Sequence, residues 1–216
     1  MLEIVFQLSA PLAQSEPSRE FVQMINGEIR DSEVNQALGW IDASLIEVGR
    51  IADAGEDLFK LMDSESSELA EYHSAFFKSH ECDYKDNIRA QFVDIVFLDF
   101  LIIHRVEVQP EFRGHRLGLL SVSRLIDLFG DNCGVVVLKP FPLQFTNYLD
   151  PVRTAPDRIE DPRAGFAAAR QKLQRHWARV GFRKVEGADY YALCPANERP
   201  SLKGLAETCR DYLRCH

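Results

Sequence analysis

The chain has 216 residues, 46% hydrophobic and 10% aromatic, enough apolar side chain for one sizeable core and too much for a disordered chain. Lys and Arg total 25 against 33 Asp and Glu, a formal net charge of −8, which argues against a general nucleic-acid binder. The best apolar run, Ile95 to Ile103, is interrupted by Asp99 and falls short of the roughly 18 residues a membrane helix needs, so no membrane partner is expected. Met1 to Ala10 carries Glu3 and no basic leader region, so no signal peptide is expected.

The charge is spread unevenly. Residues 1–100 hold 20 acidic and 7 basic side chains, and residues 101–216 hold 13 acidic and 18 basic. Either the first half carries a solvated acidic face, or the two halves handle ligands of opposite sign, a cation first and an anion second. The five cysteines, Cys82, Cys133, Cys194, Cys209 and Cys215, form no CxxC. Such a scattered, odd set fits a reducing cytosol, so a cytoplasmic location is expected. His80 with Cys82 and Cys215 with His216 repeat no known ligand spacing, and no metal is expected.

Leu2–Leu8 alternates as a strand does, and a Pro/Ser/Gln stretch follows to Ser18. Asn26-Gly27, inside Phe21–Arg30, reads as a turn between short β-prone pieces. Leu38–Ile51 is a β-rich run. Gly55-Glu56-Asp57 opens a helix to about Phe77, with Leu58, Leu61, Met62, Leu69, Tyr72 and Phe76 on one stripe and Asp63, Glu65, Glu68 and Glu71 on the other side. Asp94–Val108 is strongly β-prone, and Pro110 closes it because proline cannot donate to a ladder. Leu117–Phe129 reads as a helix with Gly130 at its C-cap, and Gly134–Leu138 as a buried strand. Strand, helix and buried strand in that order predict a βαβ unit. After a long loop to Arg158, Asp161-Pro162 starts an Ala-rich helix ending at Gly181. Phe182–Val185 and Tyr190–Leu193 form a hairpin around Gly187, and Ser201–Leu213 a C-terminal helix.

The segment richest in chemistry runs from Val106 to Gly118, VEVQPEFRGHRLG. A strand ends, a loop with Arg113, Gly114, His115, Arg116 and Gly118 follows, and a helix begins. Helix N-termini present unpaired N–H groups and a positive dipole end, and glycines let a phosphate approach the backbone. No Lys-Ser/Thr follows as in a Walker loop, and the glycine spacing is not GxGxxG. Taken alone, the segment is equally a tight turn into a helix.

Together with the later His176-Trp177-Ala178-Arg179-Val180-Gly181-Phe182, this segment resembles the GNAT N-acyltransferase superfamily over about residues 97–193. The resemblance implies a single α/β domain over 1–216, with a mixed, mostly antiparallel twisted sheet, a central splayed parallel strand pair and helices on both faces. Within it, 1–96 would be the acceptor-side half, 97–193 the acyl-CoA-binding core and 194–216 the C-terminal helix. Arg113, Gly114, His115, Arg116, Leu117 and Gly118 would hold the pyrophosphate of acetyl-CoA, and Val106 and Val108 would flank its pantetheine arm. The implied activity is direct acetyl transfer to a primary amine on a small molecule or peptide, with a homodimer compatible. Arg116 stands where the family has a glycine, and its N–H would still serve if the backbone there is helical. Trp177 stands where many members have a tyrosine acid, and Arg170 where an asparagine is common; indole cannot supply a proton at working pH. A CoA thiol near the model value of about 8.5 leaves tolerably as thiolate, or Tyr190 or Tyr191 protonates it. Glu107 and His104 are the candidate bases, Glu107 being equally a structural partner of Arg105. A non-catalytic acyl-CoA-binding or sensing module is the alternative function.

Overall fold

The computed structural model describes residues 1–8, 20–143, 145 and 162–200, with 162–164 described by backbone alone. The expected Pro/Ser/Gln stretch, most of the 140–160 loop and the C-terminal helix lie outside them. Seven strands, β1 (Leu2–Leu8), β2 (Val22–Asp31), β3 (Gln36–Ile46), β4 (Asp99–Val108), β5 (Cys133–Leu138), β6 (Arg183–Lys184) and β7 (Tyr191–Leu193), form one sheet in the order β1-β2-β3-β4-β5-β7-β6. Neighbouring strands run antiparallel except β4 and β5, which are parallel.

Asn26-Gly27 is not a turn. Both residues lie inside β2, opposite Gln7 and Phe6 on one side and Asp42 and Ile41 on the other. A Cβ on Gly27 would fall 2.5 Å from Ile41 and 2.9 Å from Phe6 side-chain atoms, so the glycine clears space under two large neighbours. The chain reverses instead at 32–35, where Asn35 takes a positive φ of 51°, as asparagine readily does.

The β-rich run from Leu38 stops at Ile46, and α1 (Val48–Ala54) takes over, ended by Gly55 in the left-handed conformation. The long helix expected to Phe77 is two, α2 (Leu58–Glu65) and α3 (Ser67–Phe76). Ser66 is extended at φ −167° and ψ 152°; its side chain accepts from Leu69 N and caps α3. A further helix, α4 (Asp86–Gln91), precedes β4, which starts at Asp99 rather than Asp94. Helix α5 (Leu117–Phe129) joins β4 to β5 as the expected crossover, with Gly130 at its C-cap in a right-handed conformation. Helix α6 (Pro162–Ala178) ends three residues before Gly181, whose φ of 108° makes the turn into β6.

Alternation along β4 divides the core between two faces. Phe100 and Ile102 pack with Val48, Ile51, Leu58, Met62, Leu69, Tyr72 and Phe76 under α1 to α3. Leu101 and Ile103 pack with Leu119, Val122, Leu125 and Ile126 of α5 and Trp177 of α6. Helices therefore cover both faces, and the α2–α3 stripe read from the sequence is buried throughout. No helix among the described residues is long and apolar enough to cross a membrane.

His73, on α3, is 3% exposed, and its Nε2 has no hydrogen-bond partner. Its ring stacks on Phe77 and meets Phe59 edge-on. Burial pushes its pKa below the ordinary 6.5; Asp57 opposes the shift, and Lys85 and His80 add to it. Below 6.5 the unfolded chain takes up a proton that the folded ring resists, so stability falls as pH drops through that value. His176, lowered chiefly by burial with Arg179 and Lys172 adding to it, contributes in the same window. Melting temperature should decline from pH 7.5 to 5.5, and His73→Leu should remove a substantial part of that decline.

Candidate functional site

The parallel strands part company abruptly. Pairing of β4 with β5 ends at Ile103 opposite Leu138, while β4 continues to Val108 paired only with β3. Beyond Leu138 the chain turns off through Lys139 and Pro140. Among the described residues, the last five of β4 thus have no strand partner on one backbone edge. His104 is the first residue past the parting.

His104 is also the extra residue of a β-bulge. Asp42 lies opposite Arg105 and Ala43 opposite Ile103, so β3 has no partner for it. Bulges re-aim side chains at strand ends, and here the ring turns to the α3 side. Its Nε2 lies 2.8 Å from Ser44 Oγ on β3, Nδ1 lies 3.7 Å from Glu68 Oε1 on α3, and Tyr72 meets it edge-on with centroids 6.3 Å apart. Ser44 is 1% exposed, and its hydroxyl donates to Met24 Sδ at 3.2 Å. The Glu68 carboxyl titrates below the ordinary carboxylate range, chiefly because of the His104 side chain, so Glu68 is an anion at neutral pH.

Val106 and Val108 lie on the opposite face of β4, against α5. A Cβ built on Gly118 would sit 3.5 Å from Val106, 3.9 Å from Val108 and 3.9 Å from Trp177 side-chain atoms. Gly118 in the first turn of α5 thereby meets both valines at the open end of the strand. Between them, Gly114 has φ 91° with nothing within 4 Å of a built Cβ, so its surroundings are open. Arg116 is not helical, so the condition on which its N–H would serve is not met: it sits at φ 62° and ψ 14° as the N-cap of α5, and its own side chain makes no capping hydrogen bond. That left-handed conformation favours glycine and costs an arginine about 1 kcal/mol. The first N–H groups of α5, including Leu117 and Gly118, have no intrahelical partner and face the loop carrying Gly114, His115 and Arg116.

Several basic side chains of the second half are engaged. Arg113 Nε donates to the Val108 carbonyl at 2.9 Å and lies across the end of β4. Arg170 pairs with Asp189 at 2.7 Å, and Arg175 donates to Gln171 at 3.0 Å. Arg116 is exposed.

The candidates for handling protons divide clearly. Glu107 points away from Val106 and Val108 and is paired with Arg105 at 2.5 Å, the structural role expected as its alternative. Tyr190 is 7% exposed and packs on Tyr72 and Phe76; burial raises its pKa, with Glu71 and Glu68 adding to the rise. Tyr191 packs on the α5 side of the sheet. Trp177 is 8% exposed beneath the first turn of α5. Ser44 and Glu68 were invisible as site residues in the sequence. Ser44 is one polar residue in a strand, and Glu68 reads as part of a solvated acidic helix side. Among the described residues, no group of three or more His, Cys, Asp or Glu side chains could hold a metal ion.

Fold and site together define a mixed, mostly antiparallel α/β protein in which a bulged strand outruns its parallel neighbour beside a helix whose N-cap, Arg116, is left-handed. No protein-family model, curated protein or solved structure matches the chain.

Proposed function

We propose that the chain is a GNAT-like N-acyltransferase, moving an acetyl group from acetyl-CoA to a primary amine on a small molecule or peptide. The observation that carries this reading is the junction of β4 and α5: a strand end with no partner on one edge among the described residues leads through a short 3-10 helix at Pro110–Phe112 and a left-handed turn into a thirteen-residue helix whose N-cap residue makes no side-chain cap. Open backbone at Gly114, the unpaired N–H groups of α5 and the exposed Arg116 suit the pyrophosphate of an anionic co-substrate. The edge of residues 104–108, without a strand partner among the described residues, suits the amide-bearing pantetheine arm, with Val106 and Val108 lining the α5 side.

Acetyl-CoA supplies an activated acyl carbon. His104, at the parting of the strands, accepts a proton from the acceptor ammonium, freeing the nitrogen lone pair for attack on the thioester carbonyl. Backbone N–H groups on the free edge of β4 stabilise the developing oxyanion. The nitrogen of the tetrahedral adduct gives up its second proton to solvent; as the adduct collapses, the C–S bond breaks, the amide forms and thiolate leaves. Trp177 cannot protonate it, so its proton comes from solvent or the protonated His104. No acyl-enzyme is required, and proximity contributes much of the rate.

In this reading the protein works in a reducing cytoplasm, alone or as a homodimer. Burial pushes the Cys133 thiol up to about 12, so that cysteine has no nucleophilic part.

Buried Trp177 at the position of the family's usual acid favours a second reading, a non-catalytic acyl-CoA-binding or sensing module. Both readings require that acetyl-CoA at about 100 times its Kd stabilise the fold by about 2.7 kcal/mol, a rise in melting temperature of roughly 5–10 °C for this size. Arg113→Glu, which sets an anion beside the loop, should abolish the rise; a rise that survives it would remove the pyrophosphate assignment. Thiol release with a panel of amines separates the readings, because the sensing module binds and does not turn over.

A further inference from the structure

We propose that the cleft between α2, α3 and the β6–β7 hairpin is a binding site for a linear polyamine, an aliphatic chain carrying two or more ammonium groups. The inference goes beyond the acyltransferase reading and is independent of it, since neither Glu68 nor His104 lines this cleft.

The cleft has a volume of about 710 Å³, inside the range of roughly 300–1,000 Å³ usual for small-molecule sites. Three elements each bring one carboxylate to its lining: Asp63 from α2, Glu71 from α3 and Glu186 from the hairpin. Lys85, just before α4, is the one cation among the described lining residues, and its Nζ donates to the Ser74 carbonyl at 2.5 Å. Lys139 faces Glu71 at 3.9 Å. Asp63 and Glu186 have no ion-pair partner among the described residues. Three carboxylates against two lysines leave the cleft negative.

Tyr190 points to a ligand independently of that charge. It is 7% exposed, its ring packs on Tyr72 and Phe76, and its hydroxyl has no hydrogen-bond partner among the described residues. The oxygen is not sealed in the core, because His73 Nε2 is the one unpartnered side-chain polar atom shut off from solvent among those residues. Tyr190 lines the cleft, so its unpaired hydroxyl opens there. An unmade hydrogen bond at so buried a group is costly, and a ligand donating to it recovers the loss.

An ammonium group meets both needs, donating an N–H to the phenol oxygen and setting its charge against a carboxylate. A single metal ion does not. The carboxylates fail to converge, and no three His, Cys, Asp or Glu side chains among the described residues could hold one. Positive charge has to be spread along the ligand instead. The lining stretch of α3 runs from Ser67 to Ser74, about 10 Å at 1.5 Å per residue, a length that an extended eight-carbon diamine matches. Phe59, Ala70, Ala75 and Ala188 share the lining and offer apolar surface to the methylene groups.

The test is isothermal titration calorimetry of the full chain with 1,8-diaminooctane, n-octylamine and magnesium chloride at one ionic strength. The diamine should bind saturably at one site per chain, at least about tenfold more tightly than n-octylamine, and equimolar magnesium should not displace it. Asp63→Asn and Glu186→Gln should each weaken diamine binding about two- to fivefold, as for partly exposed ion pairs. Tyr190→Phe should weaken it about tenfold through the lost charge-assisted hydrogen bond. Its melting temperature should not fall, because only an unpaired oxygen is removed. Equal binding of diamine and n-octylamine, displacement by magnesium, or undiminished binding in Tyr190→Phe or in the Asp63→Asn/Glu186→Gln double variant would overturn the proposal. Tighter binding of a tetralysine peptide than of the diamine would also overturn it, and would move the cleft to a basic protein segment. Diamine binding as expected in a chain that transfers no acetyl group supports the cleft and removes the acyltransferase reading alone.

Discussion

His104→Gln is expected to lower kcat for amine acetylation by about 10²–10⁴-fold, the usual contribution of a positioned general base, while acetyl-CoA still raises the melting temperature as in the unaltered chain. Glutamine retains an amide that can reach Ser44 but has no basic nitrogen, so the variant separates proton transfer from packing. Glu107→Gln is the control. Glu107 is paired with Arg105 on the strand end, and its loss should cost far less. Steady-state rates at saturating acetyl-CoA decide the matter. A Glu107→Gln variant that falls as far as His104→Gln would move the base to Glu107. Two unaffected variants would leave the chain without a side-chain base on β4 and overturn the role given to His104.

The parts of the fold legible in the sequence are those governed by local pattern. Strand β1, helix α5 and strand β5 follow from alternation, a five-residue apolar stripe and a short continuous apolar run, and they stand where expected. The β4–α5–β5 order sufficed to anticipate the parallel pair. Local pattern misled where a residue serves a distant neighbour. Gly27 signals a turn by type, yet it is needed because Phe6 and Ile41 close over it from strands on either side. Ser66 splits one apparent helix because its extended backbone and side-chain cap suit a break that the unbroken apolar stripe conceals.

The candidate site divides the same way. Gly114, Arg116 and Gly118 alternate along one short segment at the loop–helix junction, so their chemistry is readable from spacing, although the left-handed backbone of Arg116 is not. Ser44, Glu68 and His104 come from β3, α3 and β4, with Ser44 and His104 separated by 60 positions. They meet only because a bulge adds one residue to β4 opposite β3. Regular pairing would change the phase of the strand beyond that point, and no residue type in Ile102–Arg105 announces the bulge. The charge asymmetry gains a partial meaning. Glu68 belongs to the acidic half and lies beside the proposed amine, whereas Arg170 and Arg175 of the basic half are engaged by Asp189 and Gln171.

Phe100→Ala should destabilise the fold by about 3–5 kcal/mol, the range for removing a buried aromatic ring. Phe100 is fully buried, with Phe76 and Phe77 centroids at 5.0 and 5.2 Å and Tyr72 and Tyr84 at 6.4 and 6.2 Å. Those rings come from α3 and the segment after it, so the cavity left by alanine opens directly beneath the helix that carries Glu68. Chemical denaturation measures the loss, and Phe100→Leu, which fills more of the space, should lose less. The consequence for chemistry follows from the shared support. At a temperature where Phe100→Ala remains folded, α3 loses its fixed height above β4, and the 3.7 Å gap between Glu68 and His104 is no longer held. Amine KM should then rise in Phe100→Ala while the acetyl-CoA KM, set on the opposite face by β4 and α5, stays near its original value. Equal rises in both would mean that the two faces of the sheet do not divide the substrates.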